Sequence, residues 1–261
     1  MSDEQKKYLR KITLKKRFIL FMQLLIVVGT ILLWEYLVKK EIINSFVFSS
    51  PSQILETIIN LAKTNELWGH ILITMEEVII AFSLGILLGF GVAIILYELP
   101  TLAKVLDPFL TMINSLPKVA LGPLIIIIAG ANMKSIIIMA LLINLIISII
   151  TIYNGFINVD ATKVKLIKTF SNKRSILLTK LVIPNSYNTI VSSLKLNISM
   201  SLIGVIMGEF LVSQKGIGYL IIYGTQVFNL SLVMSGIFIL LVMSFLLYKI
   251  ISFIEKKLLR T

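Results

Sequence analysis

Few side chains in this sequence have the chemistry for catalysis or metal binding. The 261 residues include one histidine, His70, and no cysteine, which excludes disulfides, thiolate metal sites and a cysteine nucleophile. An enzyme working inside a membrane would need paired carboxylates, a serine beside a base, or clustered histidines. Glu209 is the only carboxylate close to the core of a long apolar run, since Glu76 and Glu77 lie at the edge of theirs. The chain is therefore predicted not to be an enzyme and to hold no metal or cofactor.

A stripe of small and polar residues marks the apolar run 186–208. In a helix, one face would carry Ser193, Asn197, Ser201, Gly204 and Gly208. Two interpretations stay open: a close helix contact held by Ser and Asn hydrogen bonds, or one wall of a water-filled route. Glu209, just past the stripe, would act as a gate or anchor a loop. Lys195, on another face, is expected to extend towards the membrane interface.

Two prolines interrupt another apolar run, INSLPKVALGPLIIIIAG. Pro117 and Pro123 each remove a backbone hydrogen bond and would clash with the preceding helical turn. In a membrane, such breaks persist only where protein or a water-filled cavity satisfies the freed backbone groups. The break predicts either a kink for packing or a helix beside a permeation path, with Pro117 and Lys118 as candidate path residues.

The elements that carry these residues are long apolar segments. With 57% hydrophobic residues, 15% charged residues and a mean hydropathy of +0.96, the chain is too apolar for a soluble domain. Runs of about 20 apolar residues cross a bilayer as helices. The predicted spans are 18–38, 75–97, 105–130 (broken), 135–156, 186–208 and 232–254. We therefore expect an all-α integral membrane protein with about six spans, the first of them retained rather than processed as a leader.

The positive charges predict the orientation of these spans. The net charge is +12, but the charges collect in particular loops rather than on one nucleic-acid-binding face. If the chain starts inside, 18 Lys and Arg residues lie on the cytoplasmic side and 5 outside, so both termini are predicted to be cytoplasmic in the cell membrane. Residues 1–17 form a basic cytoplasmic segment and 18–261 a single domain. Outside, SSPSQILETIINLAK predicts a short amphipathic helix with Ser50 as its N-cap.

The cytoplasmic loop 158–185 predicts another amphipathic helix. Asp160 would cap its start and Asn172 would end it. Val164, Ile167 and Phe170, three residues apart, are expected to form an apolar ridge. By physics alone, this ridge could lie in lipid headgroups, pack on its own bundle, or enter a groove of another protein.

Four stretches of the chain carry a family resemblance: SPSQIL, LPKVALGPL, GEFLVSQKGIGYLI and the loop KLIKTFSNKRSILLTKLVIP. They resemble type I ATP-binding cassette (ABC) importer permeases of the nitrate, sulfonate and taurine branch. The loop is similar to the family's coupling motif, with Leu181, Ile183 and Pro184 matching its end. Lys165, Leu166 and Ile167 stand where the family has Glu-Ala-Ala, and Ser171 stands where it has Gly.

This resemblance implies a MetI-like fold and a subunit that moves a small solute. It implies a homodimer of permeases in lipid, a cytoplasmic ABC ATPase dimer and an extracellular binding protein. The residues that would couple to the ATPase are Asp160, Val164, Lys165, Ile167, Phe170, Ser171 and Pro184. The path residues would be Pro117, Lys118, Ser193, Asn197, Ser201 and Glu209.

The chain lacks the phosphate-binding pattern G-x-x-x-x-G-K-[ST], so the energy for transport is expected to come from elsewhere. The resemblance implies that a partner ATPase uses the ATP and Mg. The resemblance to this branch implies a small, often anionic or zwitterionic solute, such as a sulfonate, nitrate or a thiamine-precursor pyrimidine. The alternatives are an ion-coupled carrier or channel and an intramembrane enzyme.

Overall fold

The computed structural model describes residues 3–43, 48–170 and 173–259, and every regular element in these ranges is helical. The long helices are α1 (Asp3–Lys39), α3 (Glu66–Glu98), α6 (Met133–Ile157), α10 (Tyr187–Val212) and α12 (Leu230–Leu258). The shorter ones are α2 (Pro51–Lys63), α4 (Pro100–Ser115), α5 (Gly122–Ala129), α7 (Ala161–Phe170), α8 (Arg174–Leu177), α9 (Ile183–Asn185) and α11 (Ile217–Gln226). A 3₁₀ turn, Lys118–Leu121, precedes α5, and a π-helical turn, Leu178–Val182, joins α8 to α9.

The five long helices in these ranges are each long and apolar enough to cross a membrane. A sixth crossing is possible only if Pro100–Ser115 and Lys118–Ala129 are taken together, and these two pieces meet at 87°. The expected all-α class with about six spans, one of them broken, is confirmed. Most spans extend past their predicted bounds, and α3 begins nine residues earlier because the polar residues of its first turns are also helical.

The two prolines of the broken span have different roles. Leu116, before Pro117, is extended (φ −64°, ψ 139°), as the ring of a following proline requires, and the helix α4 ends there. Pro123 instead lies in the first turn of α5. A proline is tolerated in that turn because its missing N–H would have no partner within the helix. The prediction that Pro123 also interrupts a helix is therefore wrong.

Helices α3, α6 and α10 form the centre of the bundle, where small residues allow close approach. Val78 and Ala81 of α3, Ala140 of α6 and Val205 of α10 are fully buried together. A Cβ on Gly85 or Gly89 would lie within 2.5 Å of Asn144 or Ser148 side-chain atoms. The close packing predicted from the spacing of these two glycines is confirmed.

The helix α2 and the last turns of α1 lie at one end of this bundle, called here the α2 end. The helix α2 begins with a capping box, in which Ser50 Oγ accepts from the N–H of Gln53 and the Gln53 side chain accepts from the N–H of Ser50. Glu35 accepts hydrogen bonds from Ser52 and so joins α1 to α2. The apolar window of α1 is otherwise exposed on all sides. The opposite end, which carries α7, is called the α7 end.

Candidate functional site

The helix α7 begins immediately after Asp160, the residue expected to cap it. Asp160 Oδ1 accepts a hydrogen bond of 2.8 Å from the N–H of Thr162. This hydrogen bond holds the pKa of the exposed Asp160 carboxyl below its usual value. The carboxylate also lies at the positive end of the helix dipole, which favours its ionised form. Phe170 is the last residue of the helix, and Ser171 and Asn172 lie outside the described residues.

The predicted apolar ridge of α7 divides into two surfaces. Val164 and Ile167 pack on the bundle, in the cluster of Phe156, Leu178 and Val182. Phe170 points away from it and is 80% exposed. The six steps from Val164 to Phe170 place these two side chains about 120° apart around the helix, with Ile167 between them, so Phe170 lies at the edge of the face that packs on the bundle.

Leu166, one turn before Phe170, is 59% exposed. The outward apolar surface of α7 is thus the i, i+4 pair of Leu166 and Phe170, called here the α7 knob. The sequence analysis did not place Leu166 on the apolar ridge, because it considered only apolar residues spaced three apart and not those spaced four apart.

The segment that follows ties α7 to the bundle. Lys163 Nζ donates to Asn185 Oδ1 at 3.1 Å, and Arg174 Nη1 donates to the carbonyl oxygen of Glu98 at 2.8 Å. Pro184 lies in the short helix α9, immediately before α10. Lys165 is exposed. A displacement of α7 would therefore pull on the ends of α3 and α10 together.

The polar stripe of α10 lies in a seam against α6. Asn197 and Ser201 are fully buried and Ser193 is 1% exposed. Ser148 Oγ donates to Asn197 Oδ1, and Asn144 Nδ2 donates to Ser201 Oγ, each at 2.5 Å. These contacts are those expected of a close helix contact held by Ser and Asn. That the three residues also line a solute route stays a prediction, and it requires the seam to open.

The polar stripe of α10 continues as open polar surface at the α7 end, because Thr189 lies one turn before Ser193. Two adjoining cavities of about 320 and 310 Å³ lie between α6 and α9–α10 and share Thr151 and Thr189 in their walls. Leu196 adds an apolar side chain to the second cavity, but most side chains that line the two cavities are uncharged and polar: Thr151, Asn154, Asn158, Asn185, Ser186, Asn188, Thr189 and Ser192. Ser193 of the stripe borders the second cavity. We call this surface the polar groove.

Glu209 anchors a loop at the α2 end. It is 1% exposed and accepts a 2.6 Å hydrogen bond from Thr74 Oγ1 and another from the N–H of Gly218. A Cβ on Gly216 would lie 2.4 Å from the Glu209 carboxyl, and Gly216 has a φ of +117°, so glycine is required there. Of the two roles left open for Glu209, these contacts are those of a loop anchor.

Three polar side chains of α3 complete this cluster. His70 Nδ1 accepts from the N–H of Gly216, Thr74 Oγ1 accepts from the N–H of Ile217, and Glu77 lies beside Glu209. Glu77 is 2% exposed, so it is buried inside the bundle, and its expected position at a membrane edge stays a prediction. Sequence reasoning missed this set, although the spacing i, i+4, i+7 places all three on one helix face.

The two lysines expected within spans differ in surroundings. Lys118 is half-buried at the break before α5, and its Nζ donates to the carbonyl oxygen of Asn114 at 2.9 Å. Lys195 forms an ion pair with Glu255 of α12 and lies over the Tyr248 ring. Lys195 therefore joins two helices rather than extending freely to the interface, because Glu255 comes within its reach only in the folded bundle.

Comparison with known proteins supports one family. Residues 83–260 match the model of the binding-protein-dependent transport system inner membrane component family. A probable ABC transporter permease protein of Haemophilus influenzae is 29% identical over 225 residues, which cover 86% of this chain and 91% of the relative. A putative aliphatic sulfonates transport permease protein of Bacillus subtilis is 27% identical over 246 residues, covering 94% and 89%.

A solved structure shares the fold. The permease chain in an inward-facing conformation of the MetNI methionine ABC transporter superposes with a TM-score of 0.65 at 13% identity, covering 76% of this chain and 98% of that one. The family match spans the broken helix, α6, the α7 loop, α10 and α12, which are the elements that carry the α7 knob and the polar groove. The chain therefore belongs to the binding-protein-dependent transport system inner membrane components and is a permease subunit of an ABC transporter.

Proposed function

We propose that this permease imports a small solute in a complex with a cytoplasmic ATPase dimer that engages the α7 knob. One observation carries the proposal: Phe170 is 80% exposed at the end of a helix whose other face is packed on the bundle. An aromatic side chain held outward by a fixed helix is a typical anchor for a pocket in a partner. The ATPase supplies ATP and Mg chemistry, and the permease itself binds no cofactor and catalyses no reaction.

The coupling set extends beyond the knob. Asp160 holds the start of α7, Val164 and Ile167 hold its inner face, and Lys163 and Arg174 connect the loop to neighbouring helices. Movement of α7 on ATP binding would then shift the ends of α3 and α10 as one unit, which is what a two-state transporter needs. Lys165, Ser171 and Pro184 are proposed to shape the same contact on the strength of the family resemblance.

The proposal is tested by coexpression with the ATPase and binding protein encoded beside this chain. We expect the ATPase to copurify with the permease in lipid nanodiscs, and proteoliposomes holding all three to accumulate solute only with ATP. An aliphatic sulfonate is the first solute to try, because a relative is named for that transport. Uptake without ATP by the permease alone would contradict an ABC mechanism and favour a carrier or channel.

The polar groove is proposed to face a water-filled route between two copies of the permease. Exposed uncharged polar side chains such as Asn154, Asn188 and Ser192, on the neighbouring ends of α6 and α10, are costly to place against lipid. The groove carries hydrogen-bonding groups rather than a net charge, so it would pass a solute without holding it by an ion pair. Ser193 of the buried stripe borders this surface, and Asn197 and Ser201 continue the stripe along α10 beyond it.

Cysteine substitution distinguishes the groove from the seam, since the chain has no native thiol. In the nucleotide-free transporter, we expect Thr189→Cys and Ser192→Cys to react with a charged, water-soluble thiol reagent. Asn197→Cys and Ser201→Cys on the same helix are the matched controls and should stay unreactive, because both positions are fully buried. Reaction of the controls with ATP trapped on the ATPase would show that the seam opens. Labelling of Thr189→Cys and Ser192→Cys by lipophilic reagents alone would place the groove against lipid.

The orientation in the membrane is also proposed from the charge distribution. The α7 end is cytoplasmic, with both termini, and α2 lies outside. Cysteines replacing the exposed residues Asn60 in α2 and Thr162 in α7 should then react with an impermeant reagent from opposite sides of intact cells. Labelling of both from outside would contradict the topology and the ATPase contact together.

A further inference from the structure

The cluster at the α2 end contains two carboxyl groups in an unusual relation. The Glu209 carboxyl accepts hydrogen bonds from the hydroxyl of Thr74 and from the N–H groups of Gly218 and Tyr219, which lie in the first turn of α11. A carboxylate at a helix N-terminus is stabilised by the free N–H groups and by the helix dipole. Every donor around Glu209 thus favours its ionised form.

Glu77 meets this carboxylate with a carboxyl group of its own. It is 2% exposed and its side chain lies within hydrogen-bonding distance of Glu209. Two ionised carboxylates are both acceptors, so they can bond only if one of them carries a proton. Because the donors are concentrated on Glu209, the proton belongs on Glu77, whose O–H then donates to Glu209.

The side chain of Glu77 forms part of the wall of a cavity. Oε2 is buried and has no hydrogen-bond partner among the described residues, and Glu77 lines a cavity of about 410 Å³ between α3, the start of α6 and the loop after α10. The cavity opens to the surface beside Glu76 and Lys215, which are exposed. A proton on Glu77 can therefore exchange with solvent at the α2 end.

The other charged groups around this site do not neutralise Glu77 in place of a proton. Lys215 and Lys134 are exposed, and no ion pair joins either to Glu77 in the described residues. His70 faces Gly216 and stacks on Tyr219, with its Nδ1 accepting rather than donating. Glu76 adds negative charge on the solvent side.

We propose that Glu77 is a buried proton-binding site on the extracellular end of the permease. With the proton bound, Glu77, Thr74 and His70 together hold the start of α11 against α3 and α10. Loss of the proton places two negative charges in contact and loosens that end of the bundle. The site is independent of which solute is transported, so it goes beyond the function proposed above.

Thermal unfolding of the purified permease in nanodiscs tests this site as pH is raised from acidic to alkaline. A proton bound in the folded state and lost on unfolding stabilises less as pH rises, so we expect the wild-type Tm to fall by several degrees. Glu77→Gln keeps a neutral donor to Glu209 and should remove that fall. Glu76→Gln, the neighbouring exposed residue of the same cavity, should behave as wild type.

Three outcomes would overturn the proposal. The first is a Tm of Glu77→Gln that depends on pH as the wild-type Tm does, and the second is a loss of the pH dependence in Glu76→Gln equal to that in Glu77→Gln. The third is a wild-type Tm that differs between sodium and choline salts, which would indicate a metal cation in place of the proton. If Glu77→Gln does not fold, infrared difference spectra of the wild type still show whether a buried carboxyl group carries a proton. A buried protonated carboxylic acid that disappears at alkaline pH is expected, and its absence at acidic pH would contradict the site.

Discussion

Replacing Phe170 with alanine is expected to reduce ATP-driven uptake more than tenfold while the permease inserts and folds normally. Truncating an aromatic anchor in a partner's pocket commonly costs about 2 kcal/mol, roughly a thirtyfold loss of affinity. The fold should be unaffected because 80% of the Phe170 surface is exposed. The measurements are copurification of the ATPase and uptake into proteoliposomes.

Two further variants extend this experiment, one expected to weaken the same contact and one serving as the control. Leu166→Ala, at the other member of the α7 knob, should weaken the same contact. Thr169→Ala removes an exposed polar side chain from the same turn of α7 and should leave uptake near the wild-type level. If Phe170→Ala keeps full ATPase binding and uptake, the knob is a lipid-headgroup contact rather than a docking anchor.

Substituting Gly204 by alanine is expected to lower the stability of the folded permease more than alanine at Gly91 does. A Cβ at this position would lie 2.4 Å from the Cα of Ala140 and 3.0 Å from its Cβ. The first of these atoms is backbone, so the strain can be relieved only by moving α10 away from α6. Overpacking of this kind costs about 1–3 kcal/mol or more. The hydrogen bonds from Asn144 and Ser148 across the same seam would lengthen with it.

The stability test is thermal unfolding of the purified permease, compared with Gly91→Ala. No described heavy atom lies within 4 Å of a Cβ at Gly91, so alanine there should leave the Tm unchanged or slightly raised through its better helix propensity. Gly204→Ala should lower the Tm by several degrees. Equal behaviour of the two variants would mean that the α6–α10 seam is not close-packed in the membrane.

Segments and caps could be predicted because their causes are local. The length of an apolar run decides whether a helix can span a bilayer, and this was enough to predict the number of spans. Ser50, Asp160 and Pro117 act on backbone groups within four residues, so the two helix starts and the helix break were also predictable. Their positions in the chain contain all the information required.

The neighbours of each side chain depended on the packing of helices distant in sequence. The stripe on α10 is compatible with lipid, water or another helix, and only the position of α6 places Asn197 and Ser201 in a seam. Glu77 and Glu209 are 132 residues apart, and nothing local to either indicates that they meet.

In α7 too, local properties follow from the sequence, whereas the burial of side chains depends on packing. Its start and its amphipathic character follow from the sequence, because capping and helical periodicity are local properties. Which apolar side chains remain free was decided by the cluster of Phe156, Leu178 and Val182, which covers Val164 and Ile167 and leaves Leu166 and Phe170 exposed. A helix carries the same residues in any surroundings, but burial is a property of what packs against it.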